Sequence, residues 1–319
     1  MFQGLVAAAA AFLASAAIAA DYPTKPIRLI VAFPPGGGVD VAARVVGQKL
    51  ALRLGKSIVI ENIAGAGGNI GAERVVKSPP DGYTVFFASG ALTINPSLYK
   101  NLGFDPMRDL APVSLVLLTP YVLMVNNALP IRSVKDLVAA AKSAQAAPLQ
   151  YASAGNGSAA HLFTELMISS LNISLIHVPY KGATPAMNDV LGGHVPIVFD
   201  SIITALPLVQ AGKVRAIAVS TKTRSSVAPN IPTLDESGVP GYEAANWMGL
   251  LVPAGTPKDI IRRLNSETTE VLKDSHVKEQ MKELGAELVG STPEAMEAFL
   301  RGELAKWAKV TRDAKIQLN

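Results

Sequence analysis

In three places a short run that reads as a strand ends in a glycine-rich turn and gives way to a helical pattern. Ile27 to Val31 reads as a strand, Pro34-Pro35-Gly36-Gly37-Gly38 breaks it, and Val39 to Leu54 follows with apolar residues at 41, 45, 46, 50, 52 and 54. That spacing gives an amphipathic helix. Ser57 to Glu61, Gly65 to Gly71 and Ile70 to Lys77 form a second such unit, stopped by Ser78-Pro79-Pro80-Asp81-Gly82. Leu149 to Ser153, Gly155-Asn156-Gly157 and Ser158 to Leu171 form a third. Alternation of strand and helix predicts an α/β fold with largely parallel sheet.

The remaining pattern divides this fold in two. Tyr83 to Ala88, Val113 to Leu118 and Tyr121 to Val125 read as strands before Asn126-Asn127 and Pro130 mark a change of unit. From Ser133 to Ser220, helices and strands alternate in a block complete enough for a second lobe. Trp247 to Val252 is one more strand. Pro257 then opens a helix of about 26 residues ending at Gly285. Thr292-Pro293-Glu294 opens the last helix, whose Met296, Phe299, Leu300, Leu304 and Trp307 share one face, as packing across a lobe requires. The expected organisation is lobe 1 over 21–124 and 225–319 and lobe 2 over 125–224, with two interlobe crossings near 124 and 224. Such a hinge pair leaves a cleft, where small ligands tend to bind.

Leu5 to Ala20 is an apolar run ending in Ala17-Ile18-Ala19 and followed by polar Asp21-Tyr22-Pro23. It is shorter than the ~20 residues that span a bilayer and reads as a signal peptide, cleaved near Ala19 or Ala20. A periplasmic destination follows. Met1-Phe2-Gln3-Gly4 departs from the usual export signal in having no Lys or Arg, and a buried N-terminal helix is the competing reading.

The glycine turns carry the chemistry. Glycine lets backbone N–H groups approach a ligand, and the helix that follows offers unpaired donors and a partial positive charge. Together these hold a carboxylate or phosphate without any arginine. The plain alternative is that each turn is only a tight turn. Four side chains near the turns have two readings each. Asp40 caps its helix or meets a ligand cation. Ser158 caps the third-turn helix or donates to a ligand. His161, one turn later, is structural or faces the same helix end. Asp200 caps the helix after it, or meets a ligand at a strand's carboxyl end, where open α/β sheets bind.

Enzymatic readings find little support. The chain has no cysteine, hence no thiolate nucleophile or cysteine metal site. Its four histidines (161, 177, 194 and 276) lack metal-ligand spacing. Gly155-Asn156-Gly157-Ser158-Ala159 is not a Gly-x-Ser-x-Gly elbow. Gly65-x-Gly67-x-x-x-Gly71 misses the dinucleotide spacing, and no lysine completes a phosphate loop. Net charge is +4 without a basic block or interleaved aromatics, which argues against nucleic acid. No catalysis, cofactor or metal is expected.

An ordered set of segments resembles one family. Tyr22-Pro23-Thr24-Lys25-Pro26-Ile27 with Phe33-Pro34-Pro35-Gly36-Gly37-Gly38-Val39-Asp40 is similar to the opening of the Bug (TctC-type) receptors of tripartite tricarboxylate transporters. Glu61-Asn62 with Gly65-Ala66-Gly67-Gly68, Pro80-Asp81-Gly82-Tyr83-Thr84, and Asn95-Pro96-Ser97-Leu98-Tyr99 continue the match. Tyr151 to Ser158 with His161, Val178-Pro179-Tyr180-Lys181-Gly182, Pro185-Ala186, Asp189 to Gly193 and Phe199-Asp200 complete it.

The resemblance implies a type II periplasmic-binding-protein fold, in which two α/β lobes close on a ligand. It implies an extracytoplasmic receptor, expected to be a monomer, that captures a di- or tricarboxylate or an aromatic carboxylate for the transporter's membrane subunits. An exported module signalling to a sensor protein, or an exported hydrolase, is the alternative. Carried onto this chain, the resemblance places Phe33, Pro35, Gly36 and Gly37 on one wall, with Gly67 and Ser89 nearby; Asp40, on the first turn, is counted with the ligand-binding residues. Ser153, Asn156, Gly157, Ser158 and His161 form the other wall, with Tyr180, Lys181 and Asp200 around the floor.

Overall fold

The computed structural model describes residues 22–143, 148–313 and 316, so the proposed signal segment lies outside the described residues. Each of the three opening units folds as its pattern dictates. Strand β1 (Ile27–Val31) leads to helix α1 (Gly38–Leu54), and β2 (Ile58–Asn62) to α2 (Asn69–Val76). Then come β3 (Thr84–Ser89), the short helices α3 (Ala91–Ile94) and α4 (Pro106–Asp109), and β4 (Leu110–Thr119).

The second sheet starts at β5 (Tyr121–Asn126) and continues through α5 (Val134–Ser143), β6 (Gln150–Ser153) and α6 (Ala159–Leu171). It is completed by β7 (Ile176–Pro179), α7 (Ala183–Leu191), β8 (Ile197–Ser201), α8 (Ile202–Gln210) and β9 (Val214–Val219). The chain then returns through β10 (Asn246–Pro253), α9 (Lys258–Lys273), α10 (Ser275–Glu283), β11 (Glu287–Leu288) and α11 (Pro293–Asp313).

The first sheet runs β11-β4-β10-β3-β1-β2 and the second β7-β6-β8-β5-β9. In each, three parallel strands meet one antiparallel strand: β10 beside β3, and β5 beside β8. That strand is the first one the chain lays down on arriving from the other sheet. Both lobes therefore share one strand order, and their parallel strands are covered by helices, as parallel sheet requires.

Three details differ from the sequence reading. The chain changes sheets at Pro120, between β4 and β5, not near 124; the strand from Tyr121 already pairs with β8. The return falls just before Asn246, because Leu234 and Ala244 still donate to Val219 and Ser220 of the second sheet. The expected 26-residue helix is two helices. It breaks at Asp274, whose Oδ1 accepts the N–H groups of His276 and Val277 and so caps α10.

Helix α11 does more than cover one lobe. Met296 and Leu300 pack with Ile30, Phe86 and Trp247 of the first lobe. Two turns on, Trp307 is buried in the second lobe's core, its ring 5.5 Å from Phe163 and stacked on it. The helix is thus a third link between lobes.

Candidate functional site

A cavity lies between the two sheets, with about 480 Å³ of empty space that includes its open mouth. The first lobe contributes Phe33, Pro34, Gly37, Gly38, Val39, Ser89, Asn246 and Met248; the second contributes Tyr121, Ala154, Ser158, Ala159, Ala183, Asp200 and Ser201. Two further recesses share the Phe33 ring with it, an outer one of about 610 Å³ and a smaller one of about 210 Å³. One holds Gly67, Tyr99, Asn156, Tyr180 and Lys181; the other holds Gly67, Ser89 and Asn95.

The first glycine turn opens α1 onto the cavity. Its N-cap, Gly37, makes no side-chain capping bond. The N–H groups of Gly37, Gly38 and Val39 have no acceptor among the described residues. Helix α7 likewise starts at Gly182 without a side-chain cap, and its first residue, Ala183, lines the cavity. Helix α6 is capped by Ser158, whose Oγ accepts the His161 N–H at 3.3 Å, leaving Ala159 N–H free. Three helix N-termini from two lobes therefore meet at one place, and their partial charges attract an anion.

Asp40 does not face the cavity. Its Oδ2 accepts the Gly36 N–H and Arg44 Nε, both at 2.9 Å, while Oδ1 accepts Arg44 Nη2 and Asn62 Nδ2. Burial works against its charged form, yet the bonds from Arg44, Gly36 and Asn62 together hold the carboxyl below its ordinary value. It braces the first turn from behind. Pro35 and Gly36 lie on that turn without lining the cavity; Pro35 accepts Thr184 Oγ1 from the other lobe at 3.3 Å.

The second turn reaches across the cleft. Gly67 has φ of +64°, and a Cβ there would stand 2.2 Å from the backbone oxygen of Asn156. Only glycine permits both the left-handed backbone and this approach. Tyr99 Oη donates to the same Asn156 oxygen at 3.1 Å. Tyr180 bonds Asp189 through its hydroxyl, and Lys181 is exposed at the rim. Both border the outer recess and not the cavity between the sheets.

Ser153, Gly157 and His161 sit behind the third turn. Gly157 N–H donates to His161 Nδ1 at 3.2 Å, Gly155 N–H donates to Ser153 Oγ, and Ser153 Oγ lies 2.6 Å from His177 Nε2. His161 stacks on His177, which stacks on Tyr151. Burial, then the neighbouring ring, pushes His161 down to about 3; burial pushes His177 down to about 4. Neutral rings hold this turn. Ser158 and His161 form no nucleophile–base pair, since the serine meets the backbone N–H and the imidazole meets Gly157.

Asp200, the last residue but one of β8, stands on the cavity wall, 5 % exposed. Its Oδ1 accepts the Ser201 N–H at 2.8 Å and its Oδ2 accepts Thr204 Oγ1 at 2.9 Å. Burial, opposed by those two bonds, pushes the carboxyl up to about 6. It does bond the start of α8, and it lines the cavity as well.

Sequence reasoning missed Tyr121, Ser201, Asn246 and Met248. Ser201 Oγ is buried and has no hydrogen-bond partner. Neither the Tyr121 hydroxyl nor Asn246 Nδ2 has a partner among the described residues; Asn246 Oδ1 accepts the Gly90 N–H. No local motif marks them. Register does: Tyr121 stands opposite Ser201 and Met248 opposite Ser89. No group of three or more His, Asp or Glu among the described residues could hold a metal.

The profile described as "Tripartite tricarboxylate transporter family receptor" matches residues 42–316. The protein BugT of Bordetella pertussis is 37% identical over 321 residues, covering 98% of each chain. Among solved structures, the periplasmic binding protein BugD aligns with a TM-score of 0.89 at 35% identity, covering 93% of this chain and 99% of that one. The R. palustris protein Rpa4515, solved with adipate, aligns with a TM-score of 0.90 at 36% identity and the same coverage.

Proposed function

The chain belongs to the tripartite tricarboxylate transporter receptor family, and from that premise we propose that it captures a small organic carboxylate between its lobes for the transporter's membrane subunits. It has the two-lobed fold of a periplasmic solute-binding protein. One observation carries the choice of ligand. The unpartnered N–H groups at the starts of α1 and α6 open on a cavity whose lining contains no Lys, Arg or His. Backbone amides at helix ends suit a carboxylate, which accepts several hydrogen bonds at once. The adipate bound by Rpa4515 supports this class.

In this reading Ser89, Ser158, Ser201, Tyr121 and Asn246 add hydrogen bonds around the ligand, and Phe33, Val39 and Met248 cover its carbon chain. The contacts across the cleft, Gly67 with Asn156 and Pro35 with Thr184, seal the bound state. The solute leaves unchanged. The apolar run before residue 21 would direct the chain to the periplasm.

The test is a thermal-shift screen of mono-, di- and aromatic carboxylates on protein shown by native mass spectrometry to be ligand-free. One class should raise the melting temperature, with about 2.7 kcal/mol of stabilisation at a hundred times Kd. A folded, empty protein that no carboxylate shifts would overturn the reading.

A further inference from the structure

Asp200 presents an electrostatic problem to a carboxylate ligand. It is a buried acid on the wall of a cavity whose lining holds no cationic side chain. Strand β5 brings Tyr121 to face it; β10 brings Asn246 and Met248, α6 Ser158, and α8 Thr204. Tyr121 alone of these titrates, and it has no charge to offset a carboxylate at neutral pH. His161 is turned behind the third glycine turn. Two carboxylates desolvated together without a counter-ion cannot both stay ionised.

Resting on the carboxylate reading above, we propose that binding takes up one proton from solvent, that Asp200 receives it, and that the resulting acid donates to the ligand. The local bonds accommodate the change. Thr204 Oγ1 has a second acceptor, the Ser201 backbone oxygen at 3.1 Å. When Oδ2 gains the proton, the threonine hydrogen turns to Ser201 while Oδ1 keeps its bond from the Ser201 N–H. The free carboxyl, raised by burial to about 6, already lies partway toward the neutral form. Asp200 is then a specificity device. It favours ligands whose second polar group accepts a hydrogen bond, and it makes capture stronger in mildly acidic surroundings.

Calorimetry on the intact protein tests this, with adipate, malate and benzoate as probes at pH 7.5 in phosphate and in Tris. Proton uptake of about one per ligand should appear as a dependence of the binding heat on the buffer's ionisation enthalpy. Apparent Kd should rise up to about tenfold per pH unit above 6.5. Asp200→Asn, whose amide mimics the protonated acid, should bind the same probe with a flat pH profile and no proton uptake. Binding that is independent of buffer and pH in the parent would overturn the proposal and leave the receptor reading standing. So would tight binding of an amino-acid probe such as glutamate that Asp200→Asn abolishes, because Asp200 would then pair with an ammonium. Failure of every carboxylate to bind would remove the receptor reading, and this inference with it.

Discussion

His161 and His177 lie face to face behind the third glycine turn, ring centroids 4.1 Å apart and planes 6° from parallel. His161 Nδ1 accepts the Gly157 N–H, and His177 Nε2 meets Ser153 Oγ, so both rings tie down the same turn. Protonation at Nδ1 would set two N–H groups against each other. The pair therefore makes the start of α6 depend on neutral imidazole.

Acid should unfold this protein through that pair. The ordinary histidine value is 6.5, against about 3 for His161 and about 4 for His177. As pH falls below 6.5 the unfolded chain binds protons that the native chain refuses, so stability falls toward pH 4 by on the order of several kcal/mol. Replacing His177 with Phe keeps the stack but removes one titrating ring. The drop in melting temperature from pH 7 to pH 4.5 should shrink by about half relative to the parent. An unchanged drop would show that other groups control acid stability.

Asp200 works in the opposite sense. Its folded value of about 6 stands above the ordinary 3.8, so its contribution is complete below about 3.8 and is lost as pH rises through 6. Asp200→Asn in the ligand-free protein should therefore gain about 3 kcal/mol at pH 8 and little at pH 4. Urea denaturation at the two pH values checks this; equal effects at both would contradict the buried-acid assignment.

Gly67→Ala should separate closing from folding. The new methyl would meet the Asn156 oxygen at 2.2 Å, a contact that exists only when the lobes touch, and the left-handed backbone adds about 1 kcal/mol of strain. The variant should fold with a melting temperature a few degrees lower at most. Its carboxylate affinity should fall at least about tenfold, the equivalent of 1.4 kcal/mol of blocked closure. Small-angle scattering should then show no compaction on adding ligand.

Trp307→Ala removes the side chain through which α11 grips the second lobe. The ring is 1 % exposed and stacked on Phe163, and its indole N–H donates to Glu303 at 2.9 Å. Loss of a large buried aromatic costs about 3–5 kcal/mol. Denaturant titration should show that loss, whereas Lys309→Ala, exposed on the same helix, should change stability by less than about 0.5 kcal/mol.

The sequence by itself determined the local units. Apolar period distinguishes strand from helix, and glycine marks each junction, so β1–α1, β2–α2 and β6–α6 are legible within a few residues. The chemistry of each glycine turn was legible for the same reason, because a helix N-terminus is set by its own backbone. The tertiary structure decided the rest. Whether His161 looks into the cleft or away from it depends on His177, sixteen positions further on, and spacing along one helix cannot reveal that partner. Tyr121 and Asn246 enter the site from opposite ends of the interlobe segments. Sheet register alone brings Tyr121 against Ser201 and the β10 strand against β3. Contacts between residues far apart in the chain come from how whole sheets and lobes pack. The burial that holds Asp200 near its proton comes from such contacts, while the two bonds that oppose it, from Ser201 and Thr204, are local.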